Sequence, residues 1–188
     1  MAAAMERRSA DSLAAFLAGL QAGMLGVWWM LAWMGVSAVW QRGSFWTPEN
    51  LMASVFYGGA AIRPGLAAST VSGLALYVLL YSLLGAGFAM GLGRRLARPR
   101  LALASMAFAL CWYYVAFHLA AKAVSPLVVL LDNERTTVLG HAIYGALLAR
   151  FPMYLPAAAE PPVASAPEPE IPAAGPPVPE ARSDAAQQ

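Results

Sequence analysis

The side chains best suited to chemistry in this sequence are two histidines and a set of tyrosines, and their spacing is helical. His118 lies in "YYVAFHLAAK" and His141 in "GHAIYGALLAR". Tyr114, His118 and Lys122 recur every four residues, Thr137, His141 and Tyr144 share one helical face, and Tyr77 and Tyr81 are four apart. If the two histidine segments are successive antiparallel helices, each imidazole lies about four residues from the same end, roughly 6 Å in at 1.5 Å per residue. Hydroxyls and imidazoles are costly against lipid. The spacing therefore predicts an inward-facing polar seam bordered by Tyr77, Tyr81, Tyr114, His118, His141 and Tyr144.

Several chemistries suit such a seam. Two histidines can supply the axial ligands of a haem b iron, which makes His118 and His141 candidate cofactor-binding residues. Zinc or copper would want further ligands, and no acid or second cysteine accompanies them, so no metal site is expected. Ion-coupled transport usually uses an acid near mid-membrane, whereas Glu49, Asp132 and Glu134 are expected outside the spans. The plainest role is hydrogen bonding from histidine to tyrosine or to a backbone carbonyl, which fixes helix register. Nothing resembles a Ser-His-Asp set, a carboxylate pair, a phosphate-cradling loop or HExxH, so no enzyme is expected. "GAGFAMG" follows no strand, which removes the dinucleotide reading. No basic surface interleaved with aromatics points to nucleic acid.

The elements that must position these groups are membrane helices. Of 188 residues 60% are hydrophobic and 12% charged, and from Ser12 to Leu131 the only acid is Glu49. Apolar runs of about 20 residues are the mark of spanning helices. The run from Leu13 to Trp40 is too long for a signal-peptide core and reads as an uncleaved span, with Ser9, Asp11 or Ser12 as its cap. Further spans are expected over about 66–92, 101–121 and 136–154. Between them, "TPENLMASVFYGG" and "SPLVVLL" open with Thr-Pro and Ser-Pro, and both read as short helices that are interfacial or re-entrant. Thr47 and Ser125 are the expected caps. Glu49 could pair with Arg63 across the first of them. Gly19, Gly23 and Gly26 form a small-residue stripe for close helix approach. Cys111, the only cysteine, reads as a small buried hydrophobe.

The fold class is thus an all-α membrane protein with four transmembrane helices and two short helices on the outer side. Residues 1–11 form an N-terminal segment, 12–155 the bundle, and 156–188 a Pro/Ala/Glu-rich tail expected to be disordered. Arg94, Arg95, Arg98 and Arg100 set their loop, and with it both termini, on the cytoplasmic side. The order span, short helix, span occurs twice, and "YSLLG" in the first half faces "YGALL" in the second. That suggests a parallel two-fold repeat.

"FWTPENLMA", the Gly-rich "LYVLLYSLLGAGF" and "HAIYG" together resemble small multi-span integral membrane proteins of bacteria that carry no named activity. The resemblance spans roughly residues 13–155 and implies fold and a bacterial inner membrane, not a reaction. The expected function is a structural or accessory component of a membrane assembly, with lipid and other membrane subunits or further copies of the chain as partners. A small-molecule transporter or channel is the first alternative, and a haem-bearing electron carrier through His118 and His141 the second.

Overall fold

A computed structural model describes residues 2–93 and 96–156; Met1, Arg94, Arg95 and the tail from 157 onward lie outside the described residues, and so does nearly all of the segment expected to be disordered. Every regular element among the described residues is helical. In chain order they are α1 (Ala2–Trp40), α2 (Thr47–Tyr57), α3 (Ala68–Gly91), α4 (Arg98–Tyr114), α5 (Ala121–Val124), α6 (Pro126–Leu131) and α7 (Glu134–Leu148). A π turn over Val115–Ala120 joins α4 to α5, and 3-10 turns cover Gly58–Ala61 and Phe151–Tyr154.

Three helices are long and apolar enough to cross a membrane: Arg8–Trp40, Ala68–Gly91 and Arg98–Val124. The fourth expected span is shorter. α7 holds 15 residues, a rise of about 22 Å against a hydrocarbon layer of about 30 Å. It starts earlier than expected because the Asn133 side chain accepts a hydrogen bond from the Thr136 N–H at 3.4 Å. It stops at Leu148 rather than near Tyr154, where Pro152 brings a ring and no N–H.

α1 begins about ten residues before its expected caps. "AAAMERR" is built from strong helix formers, and the capping candidates turn inward on the helix instead. Ser9 Oγ donates to the Glu6 carbonyl at 2.7 Å and Ser12 Oγ to the Arg8 carbonyl at 2.9 Å. At its other end α1 closes in a Schellman motif: Gly43 N–H donates to the Ala38 carbonyl at 2.8 Å and Arg42 N–H to the Val39 carbonyl at 2.9 Å. Arg42 takes the left-handed position, φ 63°, that glycine usually fills.

α1 is the hub, with α3 on one flank and α7 on another; α4 packs on α7, α2 on α3, and α6 meets α2. The glycines make the close approaches. A Cβ added at Gly85 would stand 2.8 Å from Gly23 Cα, and one at Gly19 would stand 2.8 Å from Ala86 Cα. Gly26 leaves room for the Tyr144 ring, and Gly145 rests on the α4 backbone at Ser105 and Met106. The small-residue stripe of α1 is therefore spent inside the chain. Near the basic loop the bundle is packed solid by Ala89, Phe88, Leu101, Leu148 and Phe151, all at most 2% exposed. There Phe88 of α3 meets Phe108 of α4, ring centres 5.1 Å apart.

At the opposite end α2 and α6 form a cap. Neither uses its expected side-chain cap. Thr47 Oγ1 donates backward to the Ser44 carbonyl at 2.7 Å, and the Ser125 hydroxyl instead bonds Ser54 Oγ at 2.8 Å, tying one short helix to the other. Gly58 ends α2 at φ 56°, as the glycine signal predicts. Asn50 fastens α2 to the loop that follows, its Nδ2 donating to the carbonyls of Arg63 at 2.8 Å and Gly65 at 3.1 Å. Its Oδ1 accepts from Thr70, whose Oγ1 also accepts from the Ala67 N–H at the start of α3.

Candidate functional site

The polar groups gather beneath this cap. The α7 stripe Thr137, His141 and Tyr144 is buried, as are Tyr77 and Tyr81 on α3. His141 is held from both sides. Its Nδ1 lies 2.7 Å from the Thr137 carbonyl, which can only accept, so Nδ1 carries the proton. A neutral ring then accepts at Nε2 from the Tyr81 hydroxyl, 2.6 Å away. Tyr144 donates to the Tyr81 backbone carbonyl at 2.7 Å, and the Tyr81 and Tyr144 rings meet edge to face at 5.0 Å. Tyr81, His141 and Tyr144 thus form one hydrogen-bonded seam between α3 and α7.

His118 stands apart from it. Its ring contacts are Tyr114 at 4.8 Å and Tyr113 at 6.0 Å, and the Tyr113 ring also reaches His141 at 5.2 Å. A tyrosine thus touches both imidazoles, and no hydrogen bond among the described residues joins the two. Tyr114 does not face the interior: it is 60% exposed. The reason is the register of α4, which buries Leu101, Ser105, Ala109 and Tyr113 against α7 at intervals of four. Tyr113 is therefore the inward phenol, and the π turn that follows breaks the four-residue repeat from Tyr114 to Lys122. A signal for this was present in the sequence, since Ser105 and Ala109 are the small residues that admit a neighbouring helix. Cys111, expected to be buried, is exposed on another face of α4.

Both ring nitrogens of His141 thus have protein partners, and His118 has none of those hydrogen bonds. Among the described residues no group of three or more His, Cys, Asp or Glu could hold a metal ion.

Two acids sit close to the seam. Glu49 does not pair with Arg63, whose Nε donates to the Ala60 carbonyl at 3.1 Å. It is instead buried at 2% exposure on the face of α2 that packs on α3, and Oε2 has no hydrogen-bond partner. Gly73 makes this docking possible, since a Cβ there would collide with the Glu49 carbonyl. Burial pushes the Glu49 carboxyl up from 4.5 to about 7, against a smaller opposing pull from its own backbone N–H. Asp132 is pushed up from 3.8 to about 6 by burial, opposed by the hydroxyl that Thr137 donates to its Oδ2.

Beside the seam lies a cavity of about 290 Å³. Leu76, Tyr77, Leu80 and Tyr81 of α3 form one wall, and Trp112 with the π turn forms the other; Met52, Val55, Ser125 and Val128 come from the cap, and Thr137 and His141 from α7. The π turn shapes it: the turn carries Ala116, Phe117 and Ala120 onto the wall, followed by Ala121 and Val124 of α5.

No family model, curated protein or solved structure matches this chain.

Proposed function

We propose that this chain is a four-span integral protein of a bacterial inner membrane, both termini cytoplasmic, acting as a non-enzymatic structural or accessory component of a membrane assembly. The supporting observation is the saturation of the seam. His141 spends both ring nitrogens on Thr137 and Tyr81, and Tyr144 spends its hydroxyl on the same helix, so the polar groups hold α3 to α7. Below them the bundle is filled by Phe88, Leu148 and Phe151. In this reading α7 is the fourth span, the arginines of 94–100 mark the cytoplasmic side, α2 and α6 cap the outer end, and the two halves are a parallel repeat. The large apolar side chains left outside, among them Trp28, Trp29, Leu103 and Leu119, meet lipid or other subunits.

The test is extraction of the tagged protein from its native membrane in mild detergent, followed by native mass spectrometry. Co-migrating polypeptides or multiples of the chain are expected. A bare monomer with intrinsic flux in proteoliposomes, or with a Soret band on haem supply, would overturn the reading.

One observation favours a small-molecule transporter as the second reading: Glu49, whose Oε2 has no partner among the described residues, is buried against α3 rather than lying at the surface. Flux that is proton-dependent in the wild type and lost in Glu49→Gln would establish it.

A further inference from the structure

The cavity beside the seam has features that the hydrogen-bonded seam does not explain. Near the basic loop α3 and α4 touch through Phe88 and Phe108. Toward the cap they part, and the gap between Leu76, Leu80 and the π turn is the cavity. Its lining is aliphatic and aromatic apart from a few polar groups. Tyr81, His141 and Ser125 among them are already bonded to protein.

Two are not. Tyr77 is 93% buried, its side chain lines the cavity, and its hydroxyl makes no hydrogen bond to a described residue, unlike those of Tyr81 and Tyr144. Trp112 also lines the cavity; its indole N–H, close to the Tyr81 hydroxyl, is buried and makes no hydrogen bond to a described residue. A buried polar group without a partner, as the Trp112 N–H is, is rare and costly. Here both groups are donors, and the indole can be nothing else.

We infer that this cavity is a binding site for a neutral, apolar molecule bearing a carbonyl oxygen, which enters between α3 and α4 and accepts hydrogen bonds from Tyr77 and Trp112. The chemistry follows from the walls. No cation lines the cavity to hold an anion, no carboxylate lines it to hold an amine, and the free groups call for an acceptor. At about 30 Å³ per water-sized unit, 290 Å³ admits about ten non-hydrogen atoms, at the lower edge of ordinary ligand pockets. That suits a ring with a keto oxygen or a chain ester with its first methylenes. A diacyl lipid and a smaller lipid-soluble ketone, quinone or ester share this chemistry.

The test uses the full chain in nanodiscs with two photoreactive probes of equal length, both carrying a diazirine: a long-chain methyl ketone and the matching alkane. Labelled peptides are mapped by mass spectrometry. The ketone is expected to label the stretches around Leu76–Tyr81 and Ala116–Ala120 at least about five-fold more than the alkane, since each neutral hydrogen bond supplies about that preference. Tyr77→Phe keeps the ring, removes one of the two donors and should lower that ratio about five-fold while alkane labelling persists. Ala120→Leu fills the space and should reduce labelling by both probes. Persistent alkane labelling reports that Tyr77→Phe is folded, and an unchanged melting temperature does the same for Ala120→Leu. Equal labelling by ketone and alkane in the wild type, or a preference left unchanged by Tyr77→Phe, would overturn the inference. Native mass spectra of protein from its own membrane separate the sources: retained phospholipid names the lipid ester, and a smaller neutral mass names a free carbonyl compound. Either mass would be lost from Ala120→Leu, and a mass retained there would place the ligand elsewhere.

Discussion

Replacing Glu49 with glutamine should make the protein more stable at alkaline pH and leave it unchanged at acid pH. Glu49 is 2% exposed, Oε2 has no partner, and the carboxyl is pushed from 4.5 to about 7 by burial. In the unfolded chain it loses its proton near 4.5, while the fold retains that proton until about 7. A raised carboxylate pKa means that the folded state binds the proton more tightly, so stability is fully present below 4.5 and declines through the window up to 7. At about 1.4 kcal/mol per pH unit, the ionised side chain costs the fold about 3 kcal/mol at pH 8. Glutamine keeps the shape and never ionises. Thermal unfolding followed by far-UV circular dichroism, in one detergent at pH 4.5, 6 and 8, should give matching curves at the lowest pH and a higher midpoint for Glu49→Gln at the highest. Asp132, which burial raises to about 6, titrates in the same window. It does so in both proteins, so the difference between them belongs to Glu49. Curves that run parallel across the range would mean that the carboxylate finds a counter-charge or water on ionisation, and the reasoning from burial would fail.

Three further substitutions probe the bundle. Gly85→Ala should destabilise by about 1–3 kcal/mol through overpacking, because the new methyl would stand 2.8 Å from Gly23 Cα, whereas Gly87→Ala, with nothing within 4 Å, should be neutral in the same unfolding assay. Tyr81→Phe leaves His141 Nε2 buried without its donor and should cost about 1–3 kcal/mol, while Tyr114→Phe, at an exposed ring, should stay within about 0.5 kcal/mol. Asn50→Ala removes both bonds to the Arg63 and Gly65 carbonyls, and hydrogen exchange should quicken at the Gly65 and Ala67 amides but not in α3 beyond Thr70.

Much of the architecture was legible because it rests on composition and short-range periodicity. Gly19, Gly23 and Gly26 marked the face on which α1 meets its neighbours, and Thr137, His141 and Tyr144 marked the buried face of α7. What escaped depends on partners distant in sequence. Glu49 reads from sequence as a charge outside the spans because its helix is too short to cross; its burial follows from Gly73, 24 positions on, which lets α2 lie against α3. Tyr113 and Tyr114 are adjacent and chemically identical, so only the register against Gly145 could say which turns inward. The helix starts were misjudged where Ser9 and Ser12 had a second option, bonding within the helix rather than capping it.

The π turn at Val115–Ala120 carries a consequence for how this helix tolerates change in length. A π turn holds one residue more than the α turn it replaces, and that residue rotates everything after it by about 100°. Deleting a single residue there would leave hydropathy and helix length nearly untouched, so any count of spans would come out the same. Yet Ala121 and Val124 would swing off the cavity wall while Ser105 and Ala109 kept their seat on α7. An insertion or deletion that passes as a neutral gap elsewhere in a membrane helix would, at these six positions, decide whether the cavity exists.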